Sequence, residues 1–127
     1  MPTFEEHRQK CDIAKSTQLT LQAADSHEHA DWIAITAFYQ ALHWVDAFFA
    51  LDNYHPGGHG RRKNAVYRHE DLRPIRGNYA NLYNASIYAR YGAGTFKEAP
   101  NEVEALLEED LVAIATHING LIDQSQV

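Results

Sequence analysis

"WIAITAFYQALHWVDAFFAL", residues 32–51, decides the fold class. The run holds no glycine or proline, and Asp46 is its one charged residue. Apolar side chains occur nearly all the way round a helical projection, and no period-two alternation appears. A helix apolar on most sides is either central in its bundle or shared with a second subunit. The polar exceptions Thr36, Gln40, His43 and Asp46 recur at helical spacing, so they form one narrow line. A solvent-facing strip is the default reading of that line. The other reading is a polar seam of Gln40, His43, Asp46 and, from the following loop, His59, facing a cleft or a two-fold partner.

Helix signals continue on both sides. Upstream, "TFEE" offers Thr3 as N-cap with Glu6 three residues on, a capping box. A helix is expected over about residues 4–24, with Cys11, Ala14, Gln18 and Leu21 as a thin apolar line. Asp25 and Glu28 repeat the box and are expected to open the helix that carries residues 32–51 and runs to about 52. Pro56 and the Gly57–Gly58 pair cannot continue it. A short helix is expected near 61–69. A long one follows over "EDLRPIRGNYANLYNASIYARYG", residues 70–92, with Asp71 as cap and Pro74 confined to the first turn. Ile75, Tyr79, Leu82 and Ser86 mark one face of it; Tyr83, Ile87 and Arg90 mark the neighbouring face. Tyr79 and Tyr83 read as core residues with a wet hydroxyl tip. Gly92 and Gly94 stop this helix. The last helix opens at Pro100 or Asn101 with Glu104 completing a box. It carries the stripe Val103, Leu107, Leu111, Ile114, Ile118 and Leu121. The expected fold is all-α: an antiparallel up-and-down bundle of four long helices plus one short helix, a single domain over 1–127.

The one cysteine, Cys11, excludes an internal disulfide and favours a reducing compartment. "MPTFEEHRQK" is polar, and no uncharged apolar window is long enough to cross a bilayer. A cytoplasmic protein without membrane contact is expected. The net charge of −6 speaks against a nucleic-acid binder when taken whole, but its distribution does not. Residues 1–60 balance to −5, residues 61–97 to +6 and residues 98–127 to −7. A basic middle in an acidic frame can make a local positive surface. It can equally pair with the acidic last helix across a seam, and both readings stay open.

The segment "HPGGHGRRKNAVYRH", residues 55–69, gathers the chemistry. His55 and His59 are four apart, but Pro56, Gly57 and Gly58 forbid a helix between them. No Cys pair or HExxH spacing accompanies them, so no metal and no cofactor is expected. Arg61, Arg62, Lys63 and Arg68 supply phosphate-binding cations, with Arg73 and Arg76 just beyond and Arg90 later. Tyr88 and Tyr91 beside Arg90 offer stacking faces to unpaired bases. Cleavage of RNA by its own 2′-hydroxyl needs a base, an acid and a cation. His69 and Arg62, separated by six residues, are the candidate catalytic pair.

Three runs, "AITAFYQALHWVDAFFA", "HPGGHGRR" and "NYANLYNASIYARYG", resemble the HEPN domain superfamily over about residues 30–122. The resemblance lies in Phe38, Tyr39, Ala41 and His43, then Pro56 and His59, then Leu82, Tyr83, Arg90 and Tyr91. It implies a small helical bundle, often a homodimer. Relatives of that kind act as RNases in toxin–antitoxin and anti-phage systems, or accompany minimal nucleotidyltransferases. Nuclease members carry Arg-x(4–6)-His around the penultimate long helix, where this chain has Ser86 and Ile87 and no His before Gly92. Two functions are therefore expected. One is an RNA- or nucleotide-binding module acting through residues 61–76 and Arg90, with a divergent, metal-independent endoribonuclease activity. The other is a noncatalytic dimeric module with a protein partner.

Overall fold

A computed structural model describes residues 2–92 and 94–125, and within them all regular structure is helical. Helix α1 spans Phe4–Asp25, α2 Ala30–Ala50, α3 His59–Arg68, α4 Arg76–Tyr91, α5 Pro100–Ala105 and α6 Val112–Ser125. Short 3₁₀ turns cover Glu70–Ile75 and Phe96–Glu98, and a π-helical segment, Leu106–Leu111, joins α5 to α6. No helix among the described residues is long and apolar enough to cross a membrane.

The centre is α2, as its apolar circumference requires. It packs against α1, α4, the π segment and α6. Ile33, Phe38 and Val45 from α2 are fully enclosed with Val66, Leu72, Tyr79, Leu82, Ile114 and Ile118. Helix α1 contributes little to this core: its buried residues are His7, Cys11 and Gln18. Its start is as expected, with Thr3 Oγ1 accepting from the Glu6 amide at 3.1 Å and Glu6 Oε1 accepting from the Thr3 amide at 3.3 Å.

Several boundaries differ from the sequence expectation. Asp25 does not open α2. Its carboxylate accepts from the amides of His27 and Glu28, both at 3.0 Å, in a turn that follows α1. Glu28 reaches Lys97 Nζ at 2.9 Å instead of closing the box, and α2 begins at Ala30. Asp71 is not the cap after residue 69. The His69 ring takes that place, its Nδ1 accepting from the Asp71 amide at 3.2 Å. The long helix foreseen from residue 70 starts at Arg76, because Pro74 lies in the 3₁₀ turn before it. Gly58 supports the start of α3 at φ 134°, a conformation that L-residues with a Cβ rarely adopt.

The last stripe also shifts register. Val103, Leu111, Ile114 and Ile118 are buried as expected, but Leu106 and Ile122 are buried where Leu107 and Leu121 were foreseen. The π segment explains the first change. Its wider turn places Leu106 and Leu111, five apart, on one face. It also buries Asp110, which accepts from Asn78 Nδ2 at 2.9 Å and Asn81 Nδ2 at 3.2 Å on α4.

Candidate functional site

The polar line of α2 is not a solvent strip. Helix α1 covers it along much of its length. Gln40, buried, donates through Nε2 to Gln18 Oε1 at 2.7 Å, and its carbonyl faces Cys11 Sγ at 3.7 Å. His43 meets His7 with their Nδ1 atoms 3.4 Å apart. At that separation one ring carries the Nδ1 proton and the other accepts it, so the contact needs at least one neutral ring. Burial pushes the His43 pKa down to about 4, and the facing His7 adds to the effect. Burial also lowers His7, against the opposing pull of Asp46.

Asp46 ends the line in a forked ion pair. Arg62 donates from Nε to Oδ1 at 2.7 Å and from Nη2 to Oδ2 at 2.9 Å. Both residues are buried, Arg62 at 8% exposure. The short helix α3 holds Arg62 inward at the same turn that turns Arg61 and Lys63 outward. Arg62 therefore does not share the exposed basic face expected for it. Nor does the fold join it to His69. Arg62 lines a concavity with Pro2, His7, Asp46, His55 and Pro56, whereas His69 sits edge-on to Phe48 and beside Phe49, in a separate concavity with Tyr54 and Arg68.

His59 takes a different position from its expected companions Gln40, His43 and Asp46. Its ring packs 5.7 Å from Phe38 and 6.1 Å from Tyr83, between α2 and α4. Its Nδ1 is buried without a hydrogen-bond partner among the described protein atoms. Burial lowers its pKa, and the charges of Arg62 and Arg90 lower it further. Lys63 Nζ lies 5.5 Å from the Tyr83 ring centre, so His59, Lys63 and Tyr83 form one contiguous group. Tyr79 corrects the expectation of a wet tip: it is fully buried, its hydroxyl has no partner among the described protein atoms, and burial raises its pKa.

The remaining cations are exposed or half-buried. Arg61, Lys63 and Arg68 are exposed on α3, and Arg73 on the turn after it. Arg76 lies 6.0 Å from the Tyr67 ring centre, and Arg90 lies 5.3 Å from that of Tyr91, which is 75% exposed. Tyr88 packs edge-on against Phe96 at 4.8 Å, so its ring serves the turn after α4. Among the described residues the ion pairs are Arg62–Asp46 and Lys97–Glu28. The basic segment thus makes no ion pair with the acidic last helix, whose one buried carboxylate, Asp110, binds asparagines.

His7 was not foreseen in the site, since a lone histidine on a thin helix face carries no local signal. Its partner lies 36 residues away. No group of three or more His, Cys, Asp or Glu side chains converges among the described residues. No protein-family model, no curated protein and no solved structure matches the chain.

Proposed function

We propose that this chain is a HEPN-like helical module, an antiparallel up-and-down bundle, that binds the phosphates of RNA or a nucleotide on the face made by α3 and the end of α4. Arg61 and Arg68, seven apart, form one flank of α3, and Lys63 forms the other, with His59, Tyr83, Arg90 and Tyr91 on the α4 side. The observation that carries the reading is the absence of carboxylate partners for these cations among the described residues, in a chain with more acidic than basic side chains. Cations left unpaired beside exposed aromatic rings suit a polyanion whose bases can stack. The antiparallel order draws support from the contacts of α1 on α2, which run from His7 at His43 to Cys11 at Gln40.

Arg62 is the anchor of α3 in this reading and not a phosphate ligand. The buried pair with Asp46 fixes the helix from which Arg61 and Lys63 project. Labelled single-stranded RNA titrated in EDTA over a salt series tests the proposal. Binding is expected to weaken with log salt at a slope of about −0.7 per phosphate contacted. Arg61→Glu combined with Arg68→Glu is expected to abolish binding at moderate salt while leaving the fold intact, since both side chains are exposed. RNA that fails to bind the parent protein at low salt overturns the proposal and leaves the protein-interaction reading. The same reactions report cleavage. Products lost in His59→Ala or His69→Ala add a metal-independent nuclease activity, and intact RNA leaves binding alone.

A further inference from the structure

A third concavity lies where the start of α2 faces the end of α4. It encloses about 450 Å³ and is lined by Glu28, His29, Trp32, Ile35, Arg90 and Lys97. Trp32 is 62% exposed there, although it stands in the most apolar helix of the chain. Its walls are tied together. Asp31 accepts from the Thr95 hydroxyl at 2.5 Å and from the Phe96 amide at 2.7 Å, which pins the turn carrying Lys97. Lys97 then reaches across to Glu28 at 2.9 Å. Arg90 is oriented by its Nε, which donates to the Ser86 carbonyl at 3.3 Å.

We infer that this cleft receives one unpaired nucleobase of a single-stranded nucleic acid, stacked on the Trp32 indole, with the adjoining phosphate on Arg90. The inference rests on the phosphate-binding reading above and names its substrate class. An exposed indole supplies a face for any base. Glu28 offers acceptors and Lys97 donors to a base edge, and His29 offers one or the other according to its tautomer. A duplex presents no free base face and is refused. The charge of the lining argues against an apolar protein seam, because such a seam would bury Glu28, Arg90 and Lys97 away from water. The volume falls in the range of small-ligand clefts.

The test uses the full chain with Trp44→Phe, so that Trp32 is the only indole. Trp32 emission is expected to quench on titration with a short oligoadenylate and to stay unchanged with a duplex RNA of equal length. Trp32→Ala, read by anisotropy of the labelled oligoadenylate, is expected to weaken binding about tenfold. Trp32→Phe is expected to recover most of that loss. Oligoadenylate that binds with normal salt dependence, without quenching and with equal affinity for Trp32→Ala, overturns the cleft and leaves the phosphate face standing. Failure of every RNA to bind overturns both. A change in the oligomeric mass of Trp32→Ala with unaltered affinity also overturns the cleft and assigns Trp32 to a subunit seam.

Discussion

Asp46 and Arg62 form a buried ion pair whose members depend on each other. Removing one partner leaves an uncompensated buried charge, which typically costs about 3–5 kcal/mol. Asp46→Ala or Arg62→Ala is therefore expected to lower the urea midpoint sharply. The double change Asp46→Leu with Arg62→Met is expected to recover much of the loss, because it removes both charges. The two histidines facing each other across α1 and α2 set a pH dependence. His43 has a folded pKa of about 4 against an ordinary value of 6.5, so the unfolded chain binds the proton more readily. Its contribution to stability is complete above pH 6.5 and disappears as pH falls towards 4. Urea unfolding of the parent and of His43→Gln across that window is the check. The parent is expected to lose more stability on acidification than the variant does.

At the scale of elements, the π segment between α5 and α6 does what an uninterrupted α-helix would not. It turns Leu106, Asp110 and Leu111 inward together. Asp110 then serves as the acceptor for two asparagine amides of α4. Hydrogen bonds to a charged group contribute about 1.5–3 kcal/mol each, but Asn81 is exposed and Asn78 half-buried, so water replaces part of what the lost acceptor supplied. Asp110→Ala is expected to destabilise the chain by about 2 kcal/mol in denaturant titration, with amide exchange accelerated across α4 and the last helices. Helix α1 depends on a different balance. With one cysteine, one histidine and one glutamine as its buried residues, and Phe4 and Leu21 half-buried against the core, its attachment combines apolar packing with polar contacts to Gln40 and His43.

Across the whole molecule, charge is segregated by segment and not cancelled by pairing. The basic middle carries +6 and the tail after it −7, yet no ion pair joins them among the described residues. Long-range attraction between the two is screened over about 10 Å at moderate salt. This arrangement underlies the expected salt dependence of RNA binding. It also makes Arg61 and Arg68, and not Arg62, the informative positions for charge reversal.

Local chemistry was enough to read the helical class, the capping box at Thr3 and the interruption between α2 and Pro56, and it left residues 32–51 as either central or shared with a second subunit. Each of these depends on residues within a turn or two of one another. The same holds for Tyr79, Leu82 and Ser86 as one buried face, since helical spacing alone brings them together. Tertiary packing decided what that spacing left open. Whether Gln40 and Asp46 met water or protein depended on where α1 and α3 lay, and their partners Gln18 and Arg62 are 22 and 16 residues away. Arg62 looked like its neighbours Arg61 and Lys63 in the chain, and burial against Asp46 separated it from them. Trp32 belonged to an apolar run and became exposed because the end of α4 and the Lys97 turn stop short of covering it. The π register changed which leucines faced inward, because a widened turn has no signature in a stripe read at a fixed period. Periodicity is a property of one helix, whereas burial belongs to the pair of surfaces that meet.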